Sequence, residues 1–345
     1  MHERVQKYAL KTSLGMLNPS GSVVTVYPNA IKQINTLNDY YLGVKQVSFM
    51  LTDFLTFLSS NGFHQHTLDK ASFSGRGIDL DLKNPITGRF MSGSSSGTAL
   101  NVFLGINDVG LGTDGGGSVL APASALNLVG FIHPDLGNQF VDLSENRKTS
   151  TDNISFTPSL GFISKKLSLI EQLCHLCLPQ MFKQTPKRRV VVDNRIDVKM
   201  RQELSNISTI ECMYKTFEDA TTFSRETLIQ QLQAMLIDFD VIVVKEGPID
   251  LFGIGDTVFG HFDERTMGIQ QQAGKGYIRV VNMCQAVGLV VPSSELATSY
   301  LLICKKENNL EPLFTLAKAL LCKMDPLIET YFADSQKYFE HGYQS

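Results

Sequence analysis

The sequence carries almost no charge imbalance, since 31 basic and 34 acidic residues leave a formal net charge of −3. No broad electrostatic field would therefore draw the protein to nucleic acid or to an anionic membrane. The sequence also has no uninterrupted apolar stretch near the roughly 20 residues that a bilayer-spanning helix needs, and its first residues lack the apolar core of a signal peptide. These absences predict a cytoplasmic protein that binds small molecules or other proteins, and they leave its oligomeric state open.

Cysteine is sparse, with six residues scattered along a chain of 345. A chain of this length can bury a large core, so reduced and mostly buried thiols are expected rather than a disulfide framework. Cys174 and Cys177 have the spacing of a redox or zinc motif, but they lie within an apolar-periodic run where no second ligand pair is evident, which favours a helix core. His64 and His66 have no companion carboxylate cluster. We therefore expect no metal and no cofactor.

Helix-like and strand-like patterns alternate along the chain, which predicts an α/β fold. Residues 44–58 repeat apolar side chains at helical intervals and are expected to form an amphipathic helix. Residues 241–244 are β-branched throughout and predict a buried strand. No internal repeat and no linker rich in proline, glycine and serine marks a boundary. We expect one domain over residues 1–345, with a helical tail at residues 324–345.

Two serine-glycine motifs flank one apolar segment. Residues 92–97 read SGSSSG and residues 112–118 read GTDGGGS, so that Ser94 and Ser118 are 24 positions apart. Glycine runs permit positive φ angles, so a serine that follows three glycines can face several main-chain N–H groups. Such a cradle could bind an oxyanion. The apolar residues 99–111 between the motifs favour a buried arrangement over two flexible linkers.

In order, spacing and most residue types, these motifs resemble those of the amidase signature family, which includes fatty acid amide hydrolase, malonamidase and the A subunit of glutamyl-tRNA amidotransferase. The resemblance implies a mixed β-sheet core covered by helices on both faces, with a reduced N-terminal region over residues 1–40. It implies that Ser118 is the acyl-accepting nucleophile and that Ser94 is the bridging serine on a cis peptide. Ser95 is the alternative for the bridging role, although the spacing to Ser118 favours Ser94.

The resemblance also assigns roles to the glycine-rich loop of the second motif. The backbone N–H groups that would form the oxyanion hole are those of Gly115, Gly116, Gly117 and Ser118. Thr113 and Asp114 would support the loop. Leu120 stands where the family commonly has an arginine, so the hydrogen bonds of that arginine to the loop are expected to be missing.

The family's third catalytic group is a lysine in an upstream strand motif similar to Val-Ala-Val-Lys-Asp-Asn. The similar segment here is Val24–Ala30, where Tyr27 stands in place of lysine, 67 positions before Ser94. The lysines that the interval or the flanking residues exclude are Lys11, Lys32 and Lys45. A tyrosine with an ordinary pKa near ~10 is almost wholly protonated at neutral pH. The usual base is therefore predicted to be absent.

Three other motifs compete with this interpretation. Residues 93–97 formally fit the G-x-S-x-G nucleophile elbow of α/β-hydrolases, but three adjacent serines make a chance match easy. Lys199 follows a segment similar to the lysine motif, yet it comes after both serines. His133 could serve as a base because imidazole titrates near neutrality, whereas a loop histidine beside Pro134 is the simpler interpretation.

Two functional hypotheses follow from the sequence. In the first, the protein is a serine hydrolase of an amide bond, with Ser118 as nucleophile and with chemistry that is impaired or altered by the loss of the lysine. In the second, it is a catalytically silent protein of the same fold that binds an amide-like ligand or a protein partner, as an accessory or regulatory subunit.

Overall fold

The computed structural model describes residues 1–182 and 187–333. Its strands, in chain order, are β1 (Val23–Val26), β2 (Tyr40–Lys45), β3 (Phe63–Asp69), β4 (Ile78–Lys83), β5 (Phe90–Ser92), β6 (Val109–Asp114), β7 (Val129–His133), β8 (Lys148–Thr149), β9 (Ser155–Phe156), β10 (Ser159–Ser164), β11 (Arg188–Asp193), β12 (Ile210–Lys215), β13 (Val241–Glu246), β14 (Ala286–Pro292) and β15 (Ser299–Lys305). Its helices are α1 (His2–Leu17), α2 (Thr52–Ser60), α3 (Ser96–Phe103), α4 (Leu120–Ala125), α5 (Leu167–Cys177), α6 (Val198–Ser205), α7 (Arg225–Asp238), α8 (Glu264–Gln271), α9 (Glu311–Leu320) and α10 (Pro326–Ile328).

Eleven of the strands form one mixed sheet, in the order β1-β3-β2-β6-β10-β7-β14-β15-β13-β11-β12. Two groups of parallel strands, β3-β2-β6 and β13-β11-β12, lie on either side of an antiparallel centre. The other strands form two small hairpins, β4-β5 and β8-β9. A single sheet thus joins strands from residue 23 to residue 305.

Helices cover both faces of this sheet because successive side chains of each central strand point to opposite faces. In β13, Val241 and Val243 enter one apolar core, whereas Ile242 and Val244 enter the other. Helices α2, α5, α6 and α9 pack into the first core, and α1, α3, α4 and α7 pack into the second. The predicted α/β class, with a mixed sheet between helical layers, is confirmed.

The helix predicted over residues 44–58 is wrong in its first part. Tyr40–Lys45 is strand β2, paired in parallel with β3 and β6, and the helix α2 begins only at Thr52. Tyr41, Leu42 and Val44 are almost completely buried. A parallel strand covered on both faces has no polar alternation, so its sequence is not distinguished from a helix by periodicity.

The two chain ends are partly helical in the described residues. Helix α1, His2–Leu17, occupies less than half of the predicted reduced N-terminal region at residues 1–40. Of the predicted tail at residues 324–345, the structure shows short helical turns at Pro326–Ile328 and Glu329–Ala333, and the rest lies outside the described residues. Over the described part of the chain, every helix is too short or too polar to cross a bilayer.

Candidate active site

Three segments that carry polar side chains meet at one cavity of about 600 Å³. Lys45 is the last residue of β2, Ser94 follows β5, and Gly115–Ser118 follow β6. Because β2 and β6 are parallel neighbours, their carboxyl ends lie at the same edge of the sheet. The sheet therefore brings together residues that are up to 73 positions apart in the sequence (118 minus 45).

Lys45 is the basic group that faces the first serine motif. Its Nζ donates a hydrogen bond to Ser94 Oγ at 2.8 Å. It also donates to Thr113 Oγ1 at 2.9 Å and to the Thr113 carbonyl at 3.2 Å. The Lys45 residue is only 5% exposed. Thr113, predicted to support the loop, thus holds the lysine in place.

Burial in this environment lowers the pKa of Lys45 to about 7. The cause is loss of hydration of the ammonium, which the positive charge of Lys148 reinforces and the carboxylate of Asp114 partly opposes. A lysine with this pKa has a substantial neutral population at pH 7, and only the neutral amine can accept a proton.

Tyr27, which was predicted to replace an absent lysine, lies away from the two serine motifs. Tyr27 follows the edge strand β1, its backbone N–H binds the His66 carbonyl at 2.7 Å, and the residue is 40% exposed. It does not line the cavity. Strand β1 occupies the outer edge of the sheet, two strands away from β2, which supplies Lys45. The interval of 67 positions between Tyr27 and Ser94 therefore leads to an edge strand, whereas Lys45 lies 49 positions before Ser94.

A signal for Lys45 was nevertheless present in the sequence. Tyr41-Leu42-Gly43-Val44 is an apolar run that leads directly into the lysine, as does the family's strand motif. Lys45 was excluded because its distance in sequence from Ser94 differs from the family's interval. The helix predicted over residues 44–58 also began inside what is strand β2.

The first serine motif turns sharply between β5 and α3. Its Gly93–Ser94 peptide bond is cis. Ser94 faces Lys45, whereas Ser95 Oγ points to the Thr113 carbonyl at 3.5 Å. The Ser95 backbone N–H binds the Ser118 carbonyl at 3.1 Å, which ties the two motifs together. Ser94 and Ser118 both line the cavity, whereas Ser95 does not.

The glycine-rich loop is built around the buried carboxylate of Asp114. This group accepts hydrogen bonds from the backbone N–H groups of Gly117 at 2.8 Å, Val119 at 2.6 Å and Leu120 at 3.3 Å. Burial raises the pKa of Asp114, and these three donors and the charge of Lys45 oppose that rise. Asp114 therefore supports the loop from below, as its predicted role requires.

The same contact bears on one predicted role, that of the Gly117 N–H as an oxyanion donor. This N–H is directed at Asp114 Oδ1 rather than at the cavity. Gly117 has a φ of 94°, a conformation that favours glycine, and its turn points the N–H inward. Gly115, Gly116 and Ser118 line the cavity and remain as candidates for that function.

Leu120 occupies the position at which an arginine was expected, and it is completely buried in the apolar core. Two arginines from other segments, Arg225 and Arg279, line the cavity beside the glycine-rich loop. An ideal Cβ on Gly116 would lie 3.6 Å from the Arg279 carbonyl oxygen and 3.7 Å from Arg225 Nη2. Neither arginine was indicated by a sequence motif.

Basic side chains outnumber acidic ones among the described residues that line the cavity. Among the described residues that line it, the acidic one is Asp256, and the basic ones are Lys45, Arg76, Lys148, Arg225, Lys275 and Arg279. Arg76 Nε pairs with Asp256 at 2.7 Å. Lys275 pairs with the buried Asp250 at 2.8 Å, and Asp250 also accepts a hydrogen bond from Ser92. The segment around residue 250 is thereby bound to the first serine motif.

The remaining candidates lie away from this cavity. His133 is buried on β7, where its Nδ1 accepts the Asp135 backbone N–H, and burial lowers its pKa to about 4. Lys199 is on α6. Cys174 and Cys177 are buried in α5. Within residues 1–182 and 187–333, no group of three or more potential metal ligands of the His, Cys, Asp and Glu types is brought together.

Comparison with known proteins finds a family match over part of the chain. Residues 81–235 match the family model described as amidase. No curated protein sequence matches the chain.

Solved structures extend the similarity to most of the fold. A crystal structure of an amidase is 15% identical, with a TM-score of 0.59 over 92% of this chain and 96% of that one. The A subunit of glutamyl-tRNA(Gln) amidotransferase from Thermotoga maritima is 13% identical, with a TM-score of 0.58 over 94% of this chain and 92% of that one. A 6-aminohexanoate cyclic dimer hydrolase is 12% identical, with a TM-score of 0.60 over 90% of this chain and 93% of that one. The resemblance to the amidase signature family is thereby confirmed, and the chain has the fold of these solved structures.

Proposed function

Because the chain resembles the amidase family in sequence over residues 81–235 and in fold over most of its length, we propose that it is a serine hydrolase that cleaves a carbon–nitrogen bond of an amide. Ser118 is the nucleophile in this proposal. The observation that carries it is the buried hydrogen bond between Lys45 Nζ and Ser94 Oγ, at 2.8 Å, beside Ser118. A serine hydroxyl becomes an effective nucleophile only when a neighbouring base removes its proton.

The proton moves along a relay in the first step. Ser118 Oγ attacks the amide carbonyl carbon while its proton passes to Ser94 Oγ, and the proton of Ser94 passes to the neutral amine of Lys45. The low pKa of Lys45, about 7, supports this direction of transfer. The developing negative charge falls on the carbonyl oxygen, which backbone N–H groups of Gly115, Gly116 and Ser118 stabilise.

The second step expels the amine and forms the acyl enzyme. The tetrahedral intermediate collapses, the carbon–nitrogen bond breaks, and Lys45 returns its proton through Ser94 to the leaving nitrogen. Water then attacks the ester of Ser118 by the same relay and releases the carboxylic acid. Water is the only co-substrate that this sequence of steps consumes.

The alternative of a silent binding or accessory protein rested chiefly on the absence of the lysine. The hydrogen bond from Lys45 Nζ to Ser94 Oγ weakens that premise, and we therefore favour the hydrolase. A protein partner remains compatible with hydrolysis, as the solved amidotransferase structure is of a protein described as a subunit.

Labelling by a fluorophosphonate tests the proposal directly. We expect the purified protein to gain one covalent adduct, measured by intact mass, and Ser118→Ala to gain none, because only an activated serine attacks phosphorus rapidly. Ser150→Ala, which removes another serine that lines the cavity, serves as the matched control and should label like the unaltered protein. Absence of an adduct on the unaltered protein would favour the silent alternative.

The labelling rate should depend on pH through Lys45. Its neutral form is the active one, so the rate is expected to rise with pH through about 7 and to level off above it. Below this point the rate should fall about tenfold per pH unit, because the fraction of neutral amine falls by that factor. Second-order rate constants measured between pH 5 and 9, roughly two units on either side of the pKa of Lys45, would show this rise of the rate with pH. A limb centred near ~10 would instead indicate a tyrosine or an unperturbed lysine.

A further inference from the structure

A buried asparagine contacts the glycine-rich loop from outside the cavity. Asn282 begins a short 3₁₀ turn at Asn282–Cys284, just before β14, and it is completely buried. Its Nδ2 donates to the Thr157 carbonyl at 2.9 Å and, over a longer distance of 3.4 Å, to the Gly115 carbonyl. An amide NH2 group has two hydrogens, so it can serve both acceptors at once. Asn282 does not itself line the cavity.

The other end of the same amide is also bound. Asn282 Oδ1 accepts a hydrogen bond from the Ser159 hydroxyl. Ser159 is the first residue of β10, and it pairs with Asp114, the last residue of β6 before the glycines. Carbonyl oxygens only accept, so the end of the amide that faces two of them must be the NH2 group. These contacts therefore fix one orientation of the amide, with its donor towards the loop.

The contact at the Gly115 carbonyl determines where the next N–H group points. The Gly115 C=O and the Gly116 N–H belong to one peptide unit, and this unit is trans. In a planar trans peptide the two groups point in opposite directions. A carbonyl directed at Asn282 therefore turns the Gly116 N–H away from Asn282, to the side of the cavity that Gly116 lines. This N–H donates to none of the described residues.

Helix α4 fixes the peptide before the nucleophile in the same manner. The Gly117 carbonyl accepts the Ala121 N–H at 2.8 Å, so the Ser118 N–H of the same peptide points the opposite way. Between these two peptides, the Gly117 N–H is bound by Asp114 at 2.8 Å. Among the described residues, the N–H groups of Gly116 and Ser118 are thus left without a protein acceptor.

We propose that Asn282 is a positioning residue that directs the Gly116 N–H at the oxyanion formed during amide hydrolysis. This inference rests on the proposed hydrolase function. The peptide between Gly115 and Gly116 has no side chain on either residue to restrict its rotation, so an external contact must hold it. An N–H group that is oriented before the reaction stabilises the developing charge without reorganising at that moment. Asn282 acts only through the loop.

Saturation kinetics of fluorophosphonate labelling test this role. Asn282→Ala is expected to lower the rate constant at saturation, kinact, by about 10- to 100-fold. Outright loss of one oxyanion donor costs about 100- to 1,000-fold, and here the N–H remains but its direction is no longer held. The reagent concentration at half-saturation, KI, should stay unchanged because Asn282 lies outside the cavity lining. The rise of kinact with pH through about 7 should also be retained, because Lys45 is unaltered.

Two further variants separate positioning from a general loss of stability. Asn84 is also buried, donates from Nδ2 to the Ala125 carbonyl at 3.0 Å and does not line the cavity. Asn84→Ala should lower the unfolding temperature, as Asn282→Ala does, but leave kinact and KI unchanged. Ser159→Ala removes only the hydroxyl bound to Asn282 Oδ1. It should lower kinact by about 2- to 10-fold, the equivalent of one ordinary hydrogen bond, and it provides the test if Asn282→Ala does not fold.

The amide NMR signal of Gly116 gives a readout that does not require a reactive serine. With isotope labelling of glycine only, we expect Asn282→Ala to shift or broaden this signal, because the peptide can then rotate. Asn84→Ala should leave the signal unchanged.

The outcome is separable from that of the proposed function. Labelling of Ser118 with an unchanged kinact in folded Asn282→Ala, or with a change confined to KI, would overturn the positioning role and leave the hydrolase standing. Without any labelling of the unaltered protein the hydrolase fails, and the Gly116 signal then decides. A signal that responds to Asn282→Ala would support the orientation of the Gly116 N–H by Asn282, and one that does not respond would overturn it.

Discussion

Replacing Lys45 with methionine is expected to lower the rate of Ser118 labelling by about 100- to 10,000-fold, the contribution that a general base typically makes. The methionine fills a similar volume but cannot accept the proton of Ser94, whose Oγ lies 2.8 Å from Lys45 Nζ. The second-order rate constant for the fluorophosphonate measures this loss. The rate that remains should no longer show the limb near pH 7, because the group responsible has been removed.

Two control variants separate the base from its neighbours. Tyr27→Phe should leave the rate unchanged, since Tyr27 lies outside the cavity. Lys32→Met removes an exposed lysine and should have equally little effect. If Tyr27→Phe lost activity while Lys45→Met kept it, the assignment of the base to β2 would be wrong.

The stability of Lys45→Met distinguishes loss of the base from loss of the fold. Burial lowers the pKa of Lys45 from 10.5 to about 7 in the folded protein. Between these values the unfolded chain binds the proton that the folded protein has released, so this lysine makes the free energy of unfolding rise with pH across that window. Below about pH 7 the folded protein must hold a buried charge. We therefore expect Lys45→Met to unfold at the same temperature or higher, while its reactivity is lost.

Replacing Asp114 with alanine is expected to destabilise the protein by on the order of 3–5 kcal/mol and to abolish labelling of Ser118. The carboxylate accepts three backbone N–H groups of the glycine-rich loop, and its removal leaves them buried without an acceptor. Chemical denaturation measures the change in the free energy of unfolding. Asp114→Asn keeps one oxygen that can accept, so it should fall between the alanine variant and the unaltered protein.

An exposed aspartate supplies the matched control for this variant. Asp142→Ala removes an exposed carboxylate that accepts one backbone N–H, from Ser144, and should change the free energy of unfolding by about 1 kcal/mol or less. Equal stability of Asp114→Ala and Asp142→Ala would show that the loop does not depend on its buried carboxylate.

The serine motifs were predictable because their chemistry is local. Glycines next to serines permit the sharp turns and close main-chain approaches on which both loops depend, and these properties belong to the residues themselves. The structure accordingly places Ser94 and Ser118 on one cavity, with Asp114 beneath the second loop. The direction of the Gly117 N–H was not predictable, because it depends on where the Asp114 carboxylate comes to lie.

Lys45 and Arg225 show where local patterns stop being sufficient. Lys45 ends a strand that is buried on both faces, and such a strand has the same continuous apolar character as part of a helix. Arg225 begins a helix more than 100 positions after Ser118, and nothing in its neighbourhood distinguishes it from an exposed arginine. Both side chains reach the cavity through pairings between distant segments.

The sequence by itself determined the α/β class, the two serine-glycine loops and the resemblance to the amidase family, since each depends on short-range periodicity or on residue types at short spacing. Only the tertiary structure decided which lysine faces Ser94, which N–H group of the glycine-rich loop is directed away from the cavity and which arginine borders that loop. The physical reason is that proton affinity and charge recognition depend on burial and on atomic distance. The order of strands in the sheet sets the burial of these side chains and the distances between their atoms, whereas their separation along the chain does not.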